Sequence, residues 1–169
     1  MPGPTVTFSA PISRAADLPK LVASMRARIL EACRTGEIDA LRVPIDRNEV
    51  RPLFERGARD PGADPIATLK RLSFDGAGRE TLALLRAVLT QQCVRETRRD
   101  GRFVVDMYVW PAFALVPPKE PTPDERQVML SCVRFADLRR ADETPMPVMR
   151  IGIGPDGVWH YFWNVIPSG

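Results

Sequence analysis

His160 is the only imidazole in the chain, so any histidine-based acid–base step must use it. It lies in the run Val158-Trp159-His160-Tyr161-Phe162-Trp163, which alternates with the period of a strand. That period places His160 on one face with Val158 and Phe162, and Trp159, Tyr161 and Trp163 on the other. Asp106 occupies the middle of a second alternating run, Arg102 to Trp110, on the face of Tyr108. It is either a solvent-facing acid or a pocket acid. If Asp106 and His160 point into one cavity, they supply an acid and a base for a small hydrolase or isomerase. The plainer role for His160 is that of a hydrogen-bonded structural or surface residue.

The aromatic residues offer a second kind of chemistry. Tyr108, Trp110, Phe113, Trp159, Tyr161 and Trp163 gather on the late strands and include all three tryptophans. They either close a core against helices or line a concave, aromatic pocket. On the second reading Tyr108, Trp110, Trp159 and Tyr161 are the candidate ligand-binding residues.

Other chemistries find little support. Cys33, Cys93 and Cys132 are an odd number at wide spacing with no C-x-x-C pair, so a Cys/His zinc site is not expected and inert, buried thiols are. Gly152-x-Gly154 sits in a hairpin pattern and not between a strand and a helix, so it is not read as a phosphate loop. Asp75-Gly76-Ala77-Gly78 lacks the alternating oxygen ligands of a calcium loop and reads as a helix start. No nucleophile elbow is present, and no cofactor is expected. Of the 169 residues, 24 are Lys or Arg and 21 are Asp or Glu, leaving a net charge of only +3. The tightest basic group, Arg95, Arg98, Arg99 and Arg102, is interleaved with Glu96 and Asp100. It reads as a solvated helix end and turn, not as a nucleic-acid face. No apolar run is long enough to span a membrane. Met1 to Phe8 has neither the basic nor the apolar region of a secretory signal, so the cytoplasm is the default expectation unless a leader was removed.

Positioning these residues requires a set of elements. Residues 1–12, with two prolines among the first four, read as an extended arm, and residues 13–169 as one domain. Leu18, Val22, Met25, Ile29 and Cys33 make one apolar helical face, capped by Asp17 and stopped at Gly36. Glu37 to Leu41 reads as a helical turn that ends before Pro44. Asp46 with Glu49 resembles a capping box and predicts a helix to about Arg56, followed by a loop over Gly57 to Gly62. Asp64-Pro65 predicts another helix start, and Arg79 to Glu96 carries the clearest helical pattern. Arg102 to Trp110 predicts a strand ended by Pro111. Thr122-Pro123-Asp124-Glu125 opens a helix whose inner face is Val128, Met129, Cys132 and Phe135. Val148 to Ile153 and Val158 to Val165 predict a hairpin around Gly154-Pro155-Asp156-Gly157. The predicted class is α+β, with N-terminal helices packed on a mostly antiparallel, curved C-terminal sheet. By architecture alone that would resemble a cystatin-like or nuclear-transport-factor-like (NTF2-like) cone, which hosts enzymes and binding proteins alike.

Several segments add a resemblance. These are Gly36-Glu-Ile-Asp-Ala-Leu-Arg42, Asn48-Glu-Val-Arg-Pro-Leu-Phe54, Asp64-Pro-Ile-Ala-Thr-Leu-Lys70, Asp75-Gly-Ala-Gly-Arg-Glu80, Tyr108-Val-Trp-Pro-Ala-Phe113 and Ile151-Gly-Ile-Gly-Pro-Asp-Gly-Val-Trp-His-Tyr-Phe162. Together they resemble a family of small alphaproteobacterial (rhizobial-type) proteins of unknown function, over most of the chain from about Ala27 to Phe162. The last two segments are the most specific. Members often carry an export signal, so the resemblance implies a cell-envelope or periplasmic role. It implies no activity.

The favoured expectation is a non-catalytic binding or interaction domain for a small molecule or a protein. The Asp106–His160 hydrolase or isomerase is the alternative, and a homodimer through an exposed sheet face is a third reading.

Overall fold

The computed structural model describes residues 3–56 and 62–164. The loop expected over Gly57 to Gly62 therefore lies almost wholly outside the described residues. The chain forms an α+β fold, with a curved, unclosed five-stranded antiparallel sheet in the order β1-β2-β3-β4-β5. The strands are β1 (Thr5–Phe8), β2 (Val94–Asp100), β3 (Phe103–Trp110), β4 (Met149–Ile153) and β5 (Trp159–Asn164). Part of the expected N-terminal arm is thus the edge strand β1. It pairs with β2 from Thr5↔Arg99 to Phe8↔Glu96.

Two helices position the core. Helix α1 (Lys20–Thr35) buries Val22, Met25, Ile29 and Ala32, and Gly36 ends it at φ 72°, a conformation that favours glycine. Helix α4 (Arg79–Leu89) buries Leu82, Leu84, Leu85, Val88 and Leu89. The Arg26 side chain joins them: its Nε and one Nη donate to the Leu89 carbonyl at 3.0 and 2.9 Å, satisfying a carbonyl that the helix end leaves open. Trp110, Trp159, Phe162, Met149 and Ile151, all essentially buried, come from the strands to the same core.

Local start signals act as read at three places. Asp64 caps α3 (Pro65–Leu72), and beyond the single-turn α5 (Ala112–Leu115) Thr122 with Glu125 forms a complete capping box on α6 (Pro123–Leu130). At α4 the cap lies in the Asp75 turn. The Asp75 carboxylate accepts from the Arg79 and Glu80 amides at 3.1 and 3.3 Å and from the Ser73 hydroxyl, which holds its pKa down at about 2.

Other expectations are corrected. Asp17 does not cap α1. It closes a 3-10 turn, Ala15–Asp17, and pairs with Arg14 at 3.1 Å, while Pro19 takes the cap position. Pro44 does not end the helical stretch. It lies inside α2 (Arg42–Asp46), in the first turn, where its missing N–H costs nothing. The helix expected from Asp46 to Arg56 does not form. Arg51 precedes Pro52 and is driven toward extended backbone. Leu53 instead runs beside β5: its amide donates to the His160 carbonyl and its carbonyl accepts from the Phe162 amide, both at 2.9 Å.

The helix expected to run to Glu96 stops at Leu89, and Val94–Asp100 is a strand. Pairing with both β1 and β3 outweighs the helical pattern. The arginine cluster therefore lies on a hairpin turned by Gly101 at φ 58°, not on a helix end. On α6, Met129 is buried as expected, as is Cys132 just beyond it. Val128 is exposed on the helix itself, and Phe135, beyond the helix end at Leu130, opens a 3-10 turn and packs on exposed Phe74. No helix is long and apolar enough to cross a membrane among the described residues.

Candidate functional site

Strand alternation divides the sheet into two faces, and paired residues of an antiparallel ladder share a face. One face carries Tyr108, Trp110, Met149, Ile151, Ile153 and Phe162 into the core. The other, outer face follows from the registers Val6↔Arg98, Phe8↔Glu96, Val94↔Val109, Val109↔Gly152, Gly152↔Tyr161 and Arg150↔Trp163.

The registers also correct the expected alternation of β5. Ile153 pairs with Trp159 and Gly152 with Tyr161, so His160 is an extra residue in a β-bulge. The bulge shifts the side-chain phase by one. Trp159 joins Phe162 in the core at zero exposure, while Tyr161 and Trp163 turn to the outer face. Trp159 is fixed there by Phe54, edge-on at 5.5 Å, and by its Nε1–H, which donates to the Tyr161 carbonyl at 3.1 Å.

The sequence-derived candidates therefore separate. Tyr108, Trp110 and Trp159 are core residues, and of the four ligand candidates only Tyr161 lies on the outer face. Asp106 is half-buried on β3 and accepts a 2.6 Å hydrogen bond from the Thr97 hydroxyl. His160 is exposed on β5 above Gly154, near Asp156. Strand β4 lies between β3 and β5, and the structure does not bring Asp106 and His160 together.

What the outer face does bring together was not singled out from sequence. Tyr161 lies over Gly152 so closely that a Cβ there would stand 2.5 Å from its ring. Its ring stacks on Trp163, with centroids 4.9 Å apart and planes at 8°. The Arg56 guanidinium lies 4.6 Å from the Trp163 ring centre, and that of Arg150 lies 5.9 Å from Tyr161. Beside them Arg98 donates to Glu96 at 3.0 Å, and Glu96 is only 7% exposed. Burial pushes the Tyr161 phenol up to about 12. It also lowers the pKa of Arg150 from the usual arginine value, but a guanidinium still stays charged at neutral pH.

Two buried donors on this face, Arg150 Nε and Trp163 Nε1, have no hydrogen-bond partner among the described residues. A buried donor left unpaired is costly, so such atoms mark a place where an acceptor belongs. Two signals in the sequence point here: an arginine inside the apolar run Val148-Met149-Arg150-Ile151, and a glycine within a strand, which marks close approach by a neighbour.

Comparison with protein-family models, with curated proteins and with solved structures gave no match.

Two hollows lie away from this cluster. One of about 1000 Å³ is bounded by residues 49–55 and 63–71. Two ion pairs lie on its rim: Arg71 pairs with Glu55 at 2.6 Å, and Asp64 with Arg42 at 2.9 Å. A shallower one of about 600 Å³ lies beside Cys33, Arg79 and Arg86. Burial raises the Cys33 and Cys132 thiols to about 11 and Cys93 to about 12, so all three are protonated and unreactive at neutral pH. Among the described residues no three metal-ligating side chains come together.

Proposed function

We propose that this chain is a non-catalytic binding domain whose contact surface is the outer face of the sheet, around Tyr161, Trp163 and Arg150. The observation that carries the reading is the pair of buried, unpartnered donors beside a preformed aromatic stack. A stack held by Gly152 below and Arg56 alongside needs little ordering on binding, which favours affinity. The hydrolase or isomerase reading gains nothing from the geometry, since its two groups sit on separated strands.

The test is a panel of small neutral, anionic and cationic aromatic compounds, mapped by amide shifts of the labelled protein. Responses are expected at Gly152, Tyr161 and Trp163. They should vanish in Trp163→Ala while the thermal melt remains cooperative. Trp159→Ala is the contrasting variant: emptying a buried tryptophan site costs about 3–5 kcal/mol, so it should lose the fold rather than only the ligand. Responses confined to the hollow at residues 49–55 and 63–71 would overturn the reading.

A further inference from the structure

We infer that the outer-face cluster is a carboxylate site, with Arg150 as its principal ligand-binding residue. The inference rests on the outer face being the binding surface.

The chemistry follows from what this face lacks. Its unmatched groups are donors: Arg150 Nε and Trp163 Nε1, with the Arg56 guanidinium alongside. Arg150 and Trp163 are direct cross-strand partners, so their side chains stand next to one another. The carboxylate that the cluster itself supplies, Glu96, is engaged by Arg98. Three guanidinium groups thus face one carboxylate, and the shortfall is negative charge carried on acceptor oxygens. A guanidinium fork matches a planar carboxylate through two parallel hydrogen bonds. Burial of the Arg150 Nε raises the worth of such a bond, because water does not compete for it.

Desolvation selects carboxylate over phosphate. Glu96 lies near enough to influence both Arg150 and Tyr161. A doubly charged phosphate would roughly double both its attraction to the guanidiniums and its repulsion from Glu96. Its desolvation beside the buried Arg150 Nε would cost about four times that of a singly charged acid, because the Born cost scales with the square of the charge. The carboxylate can belong to a free acid or to an acidic side chain of a partner protein, and the two sources share the same chemistry at Arg150.

The experiment titrates the intact labelled chain with four compounds of one shape: benzoate, benzamide, benzamidine and phenyl phosphate. The signals read are the Arg150 Nε–H and the Trp163 Nε1–H. Benzoate is expected to move both. Benzamide and phenyl phosphate should bind at least about tenfold more weakly, and benzamidine should leave both signals in place. Arg150→Lys keeps the charge but loses the fork, and should weaken benzoate by about tenfold or more. Arg56→Gln changes an exposed residue with little risk to folding and should weaken it by roughly threefold. A fifth arm, the blocked peptide acetyl-Glu-Phe-Glu-amide, separates the sources. Tighter binding than benzoate points to a protein segment, weaker binding to a small acid.

Benzamide binding as well as benzoate at Trp163, phenyl phosphate binding more tightly, or benzoate binding unchanged in Arg150→Lys would each overturn the carboxylate assignment and leave the outer face as the binding surface. If no compound moves either signal, the outer-face reading falls as well.

Discussion

Gly152 shows how one residue decides what the outer face can do. Its backbone needs no unusual conformation, so its lack of a side chain matters only for the space that Tyr161 fills above it. Gly152→Ala places a methyl carbon 2.5 Å from the Tyr161 ring, and the ring must swing away from Trp163. The expected outcome is a folded protein, destabilised by about 1–3 kcal/mol through overpacking, with an altered near-ultraviolet dichroism signal and benzoate binding lost. Unchanged binding in this variant would detach the stack from the site. At this scale the sequence was only partly legible. The period-two pattern grouped Tyr161 with Trp163 on one strand face, but it grouped Trp159 with them. A bulge of one residue at His160 is invisible to a periodicity argument, yet it sends one tryptophan into the core and leaves another on the surface.

At the scale of elements, three terminal signals were legible because their chemistry is local, although those at Asp17 and Asp46 were not. Asp64-Pro65, Thr122 to Glu125 and Gly36 each act where the sequence places them. The Asp75 turn allows a pH test. Its carboxyl is held at about 2 against an ordinary 3.8, mainly by the Ser73 hydroxyl and by the first amides of α4. A lowered folded-state value favours the charged form, so this contribution is fully present above 3.8. It is lost as pH falls through about 2. Asp75→Asn should therefore melt lower at neutral pH, and its melting temperature should fall less steeply than the parent's across that window. Parallel slopes would contradict the assignment. Strand β2 was not legible, because Arg95 to Arg99 carries no apolar alternation. Its strand character comes from partners far away in the chain. The same holds for Leu53, whose extended form is fixed by β5, more than a hundred residues later.

For the whole molecule, the legible part was the architecture: helices over one face of an antiparallel sheet. The unread part was the outer face, where Val94 and Val109 are fully buried between more exposed margins, since a core-seeking pattern says nothing about what gathers there. That face is chemically mixed. Toward β1 and the β2–β3 turn it presents Val6, Phe8, Phe103 and Val105, with Phe103 79% exposed, and toward β5 the arginine and aromatic cluster. The three tryptophans report on the two sides: Trp110 and Trp159 from the core, Trp163 from the outer face. The most direct measurement is fluorine NMR of the chain labelled with 5-fluorotryptophan, with signals assigned by single Trp→Phe variants and titrated with benzoate. The expected result is a shift of the Trp163 signal alone, with Trp110 and Trp159 unmoved. A shift of Trp110 or Trp159 with Trp163 silent would place the ligand on the other side of the sheet and contradict the outer face as the binding surface.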